Sequence, residues 1–275
     1  MKRQILLILI SMIGLTLQSI AQGNLLITPS RVVFEGNKQK EQLNLVNIGA
    51  DTAIYSISFV QYRMKEDGTF DLIEKPDSRQ MFADPYLRIF PRRVTLAPRE
   101  PQVVMLQYRR KKDMPAGEYR SHLYFRAEQN IKPLGSENSA TDTTQLKIQL
   151  IPIFGLSIPI IIRSGTTNVS VTLSDYKMEM QQDTIPCLRL AINRTGNISI
   201  YGDLVITYVS AKGKTYEIAK VKGIGVYTNI NKRNILIKLN KLPGMVLTNG
   251  KLVVKYISHD EDKKITVFAE GEMKL

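Results

Sequence analysis

Two histidines, His122 and His259, are the chain's only imidazoles, and Cys187 is its only thiol. These three residues set the ceiling on acid–base and nucleophilic chemistry. His122 lies in the apolar run Ser121-His122-Leu123-Tyr124-Phe125, which reads as a strand, and His259 lies in the polar turn Ser258-His259-Asp260-Glu261. The sequence contains no nucleophile elbow, no HExxH, no phosphate-cradling glycine loop and no metal-spaced His/Cys cluster. The carboxylates of Asp260-Glu261-Asp262 belong to a solvated turn. Two carboxylates brought together by folding, as a glycosidase needs, are the one hydrolytic arrangement left open. Cys187, in Ile185-Pro186-Cys187-Leu188, reads as a small buried hydrophobe. The residue types therefore point away from an enzyme, and they imply no metal and no cofactor.

Charge is the other resource. The 275-residue chain carries a formal +13, a field that favours acidic partners or surfaces. The cations gather locally at Arg92-Arg93, Arg109-Arg110-Lys111-Lys112 and Lys263-Lys264. The second group opens a loop ending at Pro115 and reads first as a solvated loop. No nucleic-acid-binding motif accompanies the charge, so no nucleic acid is expected.

The N-terminus has the anatomy of an export signal. Lys2 and Arg3 precede an apolar run from Ile5 to Leu17, and Ser19-Ile20-Ala21 supplies a small-x-small site. Cleavage is expected after Ala21, with residues 1–21 excluded from the fold. The run is too short for a comfortable span, so an uncleaved anchor is the lesser reading, and no later segment offers an uncharged transmembrane length. Without a junction cysteine, no lipid-modified terminus is expected. A single cysteine in an exported chain forms no internal disulfide, so core packing and strand pairing must hold the fold. The sequons at Asn193 and Asn197 carry little meaning if, as the export signal suggests, the cell is bacterial.

The elements that position these residues read as strands. From Leu146 to Arg163 every even position is apolar: Leu146, Ile148, Leu150, Pro152, Phe154, Leu156, Ile158, Ile160 and Ile162. A period of two over this length describes one long strand, where the mean is about 5–6 residues. Such a strand either crosses between domains or offers an edge that a second polypeptide completes. Pro152 and Pro159 lack a backbone donor and belong on an edge or at a bulge. A long apolar edge is an aggregation hazard unless it is used to bind strands.

Elsewhere, helical periodicity is hard to find. Strand-like runs recur at 31–34, 42–47, 54–62, 86–90, 94–96, 103–108 and 119–127, separated by turn signals such as Asp67-Gly68 and Ala97-Pro98-Arg99-Glu100. The stretch 129–144, rich in Ser, Thr, Asn and Gly, reads as a loop. Ser164-Gly165-Thr166-Thr167 is the natural boundary. Beyond it, runs at 169–173, 188–192, 202–209, 216–221, 235–239, 252–257 and 265–269 restart the pattern. The expected fold is all-β, two immunoglobulin-like β-sandwiches in tandem over 22–163 and 164–275.

The first half resembles the opening domain of the periplasmic chaperones of the chaperone–usher pilus pathway, the PapD-like family. The resemblance rests on Thr28-Pro29-Ser30-Arg31-Val32-Val33-Phe34, on Leu43-Asn44-Leu45-Val46-Asn47, and on Phe90-Pro91-Arg92-Arg93-Val94-Thr95-Leu96-Ala97-Pro98 running into Val103-Val104-Met105-Leu106. Met114-Pro115-Ala116-Gly117-Glu118-Tyr119-Arg120 with the strand after it, and the run to Arg163, complete it. About 140 residues are covered; the second half matches only in β character.

The resemblance implies a periplasmic protein of a Gram-negative bacterium that binds fimbrial subunits lacking a strand. It would donate its own edge strand and deliver the subunit to an outer-membrane usher. Leu150, Pro152 and Phe154 are the residues it implies for insertion, with Leu146 and Ile148 extending the row. It implies a cleft in which Arg31 anchors the subunit's C-terminal carboxylate, a task suited to charge-assisted hydrogen bonds, and in which Arg163 closes the edge strand. The family's anchoring Lys does not carry over: its place falls on Pro159, with Ser157 two residues earlier. The acidic partner of the closing Arg falls near Arg120, with Glu118 two residues away. Arg31 alone, a different basic residue beside it, or another mode of client binding all fit these departures. The free chaperone would stay soluble by capping its edge, for example as a homodimer. The contrasting reading is a secreted Ig-like structural or adhesive surface protein, whose edge strand pairs within its own sheet.

Overall fold

In a computed structural model, the residues described are 24–128, 153–182, 184–240, 245, 247, 249–259 and 265–275. The alternating runs become strands: β1 (Leu25–Thr28), β2 (Val32–Phe34), β3 (Lys40–Asn47), β4 (Ala53–Met64), β5 (Phe70–Ile73), β6 (Leu87–Phe90), β7 (Arg93–Leu96), β8 (Pro101–Tyr108), β9 (Gly117–Glu128) and β10 (Gly155–Ser164). After Gly165, β11 (Val169–Gln181), β12 (Ile185–Gly196), β13 (Ile200–Ser210), β14 (Thr215–Val226), β15 (Lys232–Lys238), β16 (Gly250–Ser258) and β17 (Val267–Lys274) follow. The helical content among the described residues is one 3-10 turn at Asp84–Tyr86. None of their helices is long and apolar enough to cross a membrane.

The strands form an all-β fold of two tandem immunoglobulin-like sandwiches. In the first, a sheet ordered β1-β3-β8-β6 faces one ordered β2-β10-β9-β4-β5, with β7 also on β4. Period-two alternation turns one side chain in two toward the gap. Leu43, Leu45, Val104 and Leu106 from one sheet meet Phe34, Leu123, Phe125, Ile160 and Ile162 from the other, all fully buried. The second sandwich pairs β11-β12-β15 with β14-β13-β16-β17. Its separate core holds Leu188, Leu190, Leu204, Ile206, Val254 and Tyr256. Each such side chain contributes about 1.5–3 kcal/mol by leaving water, and these cores stand without a disulfide, Cys187 being free and buried in β12.

Polar groups inside the fold are tied down. Asn47, fully buried at the end of β3, donates to the carbonyls of Asp51 and Leu96 and accepts from Gly49 N, closing the β3–β4 turn against β7. Arg194, 1% exposed, donates to the carbonyls of Gly196, Ile198, Thr228 and Ile230. Carbonyl dipoles satisfy this buried cation, and the bonds fix the β12–β13 turn that faces the first sandwich.

The two sandwiches touch directly. Asn229 donates to Met64 O at 2.7 Å, Asn234 N to Glu66 O at 2.7 Å, and Arg79 to Asn231 Oδ1 at 2.7 Å. At Gly68, in the β4–β5 turn, φ is +85°, and a Cβ there would run into the Arg233 guanidinium from the second sandwich. Glycine thus serves both the turn and the close approach.

Candidate functional site

β10 is the described part of the long alternating run. Leu146, Ile148, Leu150 and Pro152 lie outside the described residues, as do residues 1–21, expected above to be an export signal. Residue Phe154 is described and half exposed, at 48%, with Leu156 at 40%. The strand starts at Gly155, so Ile153 and Phe154 stand outside it, although Phe154 O accepts from Ala127 N at 2.9 Å. A Cβ at Gly155 would strike the Tyr124 ring, which makes this a position for glycine.

Pairing of β10 is asymmetric. It runs antiparallel to β9 along its whole length, from Gly155 opposite Arg126 to Ser164 opposite Gly117. On its other side β2 pairs in parallel only at Ile160, Ile161 and Ile162. Among the described residues, 155–159 therefore have a strand on one side only. Pro159, with no donor to offer, sits just before the first β2-paired residue, as an edge position allows. Phe154 and Leu156 line a small cavity with Leu25, Tyr55 and Phe125, while Ile158, Ile160 and Ile162 continue the row into the core. Ile161, on the opposite face, is buried as well.

Beside this edge lies a cleft between the sandwiches. A cavity of about 240 Å³ is lined by Arg31, Arg120, Arg233, Phe70, Pro159 and Tyr227, among others. Arg31, the residue before β2, places its guanidinium 4.4 Å from the centre of the Tyr201 ring. Burial first, then Arg120 and Arg163, against the opposing pull of Glu118, bring its pKa down to about 10. Its Nε is buried without a partner, and so is Nε of Arg233. Arg233 donates through Nη1 to Gly225 O.

Glu118 organises the cations. Its Oε1 accepts from Arg120 at 2.6 Å, and its Oε2 accepts from Ser199 N at 3.0 Å and Ser199 Oγ at 2.7 Å. Arg163 Nε lies 3.8 Å from Oε2, and Arg163 Nη1 reaches the exposed Glu35 at 3.3 Å. Burial works against the Glu118 charge, but Arg120 and the Ser199 bonds outweigh it and hold the carboxyl below the ordinary range. Arg120 also donates to Ser199 Oγ at 2.7 Å and stacks 3.8 Å from the centre of the Tyr227 ring. One buried carboxylate thus faces Arg31, Arg120 and Arg163, and the cleft keeps a surplus of positive charge suited to an anion.

The imidazoles are otherwise engaged. His122, 5% exposed, holds Nε2 3.1 Å from the Tyr227 hydroxyl. Burial first and Arg120 second push its pKa down to about 3, so the ring is neutral. His259 Nδ1 lies 2.6 Å from Asp203 Oδ1. Among the described residues, no group of three His, Cys, Asp or Glu side chains could hold a metal.

The structure brings Arg31 and Arg163, both read from the sequence, to the rim of one carboxylate, with Pro159 on the cleft wall. Arg233, Tyr201 and Tyr227 escaped sequence reasoning because they belong to the second sandwich, whose strands meet the first only after folding. Arg120 and Glu118 were visible as neighbours in β9, but not as a hub.

No protein-family model matches the sequence, and no curated protein matches it. Solved structures do, among them several chaperones. The YadV chaperone is 14% identical with a TM-score of 0.46, covering 92% of this chain and 100% of its own. The CsuC–CsuE chaperone–tip adhesion subunit pre-assembly complex from archaic chaperone-usher Csu pili of Acinetobacter baumannii is 12% identical with a TM-score of 0.45, covering 90% and 97%. The E. coli chaperone DraB is 13% identical with a TM-score of 0.43, covering 91% and 96%. At these identities the likeness is one of fold.

Proposed function

We propose that this protein is a periplasmic chaperone that holds fimbrial subunits by lending them its β10 edge and passes them to an outer-membrane usher. One observation carries the reading: among the described residues, 155–159 pair on one side only, with Phe154 and Leu156 half exposed, and this edge runs into a cleft lined by arginines. An incoming strand would hydrogen-bond along the edge, each bond adding a net of about 0.5–1.5 kcal/mol, while alternate side chains set its register. Residues 22–163 would form the strand-donating domain and 164–275 the second wall of the cleft, after removal of 1–21. Leu146, Ile148, Leu150 and Pro152 would extend the inserted row beyond Phe154.

Arg31 would anchor the client's terminal carboxylate. Arg233, whose Nε is likewise buried and unpartnered, takes the part of the second cation where the family's Lys is missing. In the free protein, a second copy of the chain would cover the edge. The role is binding rather than catalysis.

The test is to express the protein together with the genes flanking its own locus and purify it by a tag. A stoichiometric small β-rich subunit in the eluate supports the reading and identifies the client. A client-free protein recovered mainly from the cell surface would replace it with the structural or adhesive one.

A further inference from the structure

Beside the arginine cavity lies a second groove of about 430 Å³, lined by Tyr62, Phe70, His122, Ser157, Pro159 and Tyr227. We infer that this groove selects clients by their last residue, taking an aromatic side chain whose own carboxylate sits among Arg31, Arg120 and Arg233. The inference rests on the carboxylate-anchor reading above and adds a specificity determinant to it.

The two cavities adjoin: Phe70, Pro159 and Tyr227 line both. Tyr227 is the partition between them. Arg120 lies 3.8 Å from its ring centre, and the Phe70 ring is 5.4 Å away. A single residue can therefore present its carboxylate to the cations and its side chain to the groove.

The groove walls are aromatic and incompletely packed. Tyr62 meets His122 edge-on at 4.9 Å, Phe70 stands 6.0 Å from Tyr62, and His122 stacks on Tyr227 at 6.0 Å. These spacings are those of mutually favourable ring pairs. Yet Phe70 remains 46% exposed at the rim, and a further ring would complete the cluster. His122 gives the same indication. Its Nε2 is taken by Tyr227, but Nδ1 is buried with no partner. A buried polar atom left unpaired is costly, so this site resembles one awaiting a ligand rather than a finished core. Ser157 and Pro159 on its floor come from the open stretch of β10, which places the groove beside a strand lying along that edge.

The experiment titrates the purified protein with acetylated octapeptides of alternating valine and threonine. They end in tyrosine, in alanine, or in tyrosine amide, and binding is followed by calorimetry. The tyrosine acid is expected to bind at least tenfold more tightly than the alanine acid. In Phe70→Ala, with folding checked by thermal melt, the ratio of tyrosine-acid to alanine-acid affinity should fall below threefold. Equal binding of the two acids, with a weaker amide, overturns the groove and leaves the anchor standing. A tyrosine preference that persists equally in the amide overturns the anchor and keeps the groove. Absence of binding by all three peptides overturns both.

Discussion

Glu118 and Ser199 are 81 residues apart in the chain, yet the Glu118 carboxylate accepts both the backbone N–H and the hydroxyl of Ser199. These bonds join β9 of the first sandwich to the β12–β13 turn of the second. Because Arg120 also donates to Ser199 Oγ, the junction is a closed triangle of charge-assisted bonds, shielded from water. The Arg194 guanidinium holds the carbonyl of Ile198, the residue before Ser199. This buried contact is one of those that join the two sandwiches beside the cleft.

Replacing Glu118 by Gln should therefore destabilise the protein. Three arginines lose their common counter-charge, and breaking a buried pair costs about 3–5 kcal/mol. The pH dependence follows from its depressed carboxyl. A carboxylate held below its unfolded value of about 4.5 stabilises fully above that pH, and the stabilisation is lost as pH falls through its folded value. Urea titrations between pH 3 and 7 should show this acid limb in the wild type and a shallower one in Glu118→Gln. Parallel limbs would remove Glu118 from the role.

His122 acts over a higher window. Its folded pKa is pushed down to about 3, first by burial and then by Arg120, whereas the unfolded chain titrates near 6.5. The neutral ring contributes stability that is complete above pH 6.5 and is lost progressively toward pH 3, at up to about 1.4 kcal/mol per pH unit. His122→Phe should flatten stability between pH 4 and 6.5 in denaturant titrations. An unchanged slope there would mean that the ring charges without cost.

Arg31 should matter more to binding than to folding. It is desolvated, repelled by Arg120 and Arg163, and leaves Nε unpartnered. Arg31→Met keeps the aliphatic stem against Tyr201 and removes the strained charge, so the melting temperature should move by less than about 3 °C. Client recovery in a pull-down should fall at least tenfold. Equal recovery at equal stability would exclude Arg31 from the site, and the same comparison with Arg233→Met tests the cation proposed as its companion.

Strands were legible wherever alternation ran for five residues or more, because period two is a local property of the chain. Residues 42–47, 103–108 and 119–127 lie within β3, β8 and β9. Two short strands were passed over, β1 and β5, of four residues each, whose pairing is dictated by the neighbours β3 and β4. The reading 216–221 fell short of β14, which continues to Val226 through Gly223 and Gly225, residues with no side chain to carry a pattern. The cleft was legible only in Arg31, Arg163 and the open edge. Its other walls come from β9, β13, the segment after β14, and β15. Charge and aromaticity on separate strands carry no mark of shared space until two sandwiches dock. Glu118 illustrates this: in sequence it is one acidic residue in a strand, and its meaning comes from Ser199 and three guanidinium groups.

The open edge gives the most direct prediction. Phe154 is half exposed, so Phe154→Glu should leave both sandwiches folded, with the melting temperature within about 3 °C of wild type. A carboxylate in a row that enters a client's apolar groove would carry an unpaired charge out of water, a cost of several kcal/mol, and capture should be abolished. Leu150→Glu, earlier in the same row, should act alike. Phe90→Glu is the control: Phe90 is 77% exposed in β6, on the other sheet of the same sandwich. If clients are held by strand addition at β10, the control retains capture and the two edge variants lose it. Equal loss in all three would mean that clients adhere to exposed apolar surface in general. Retention in all three would mean that this edge is not where they bind.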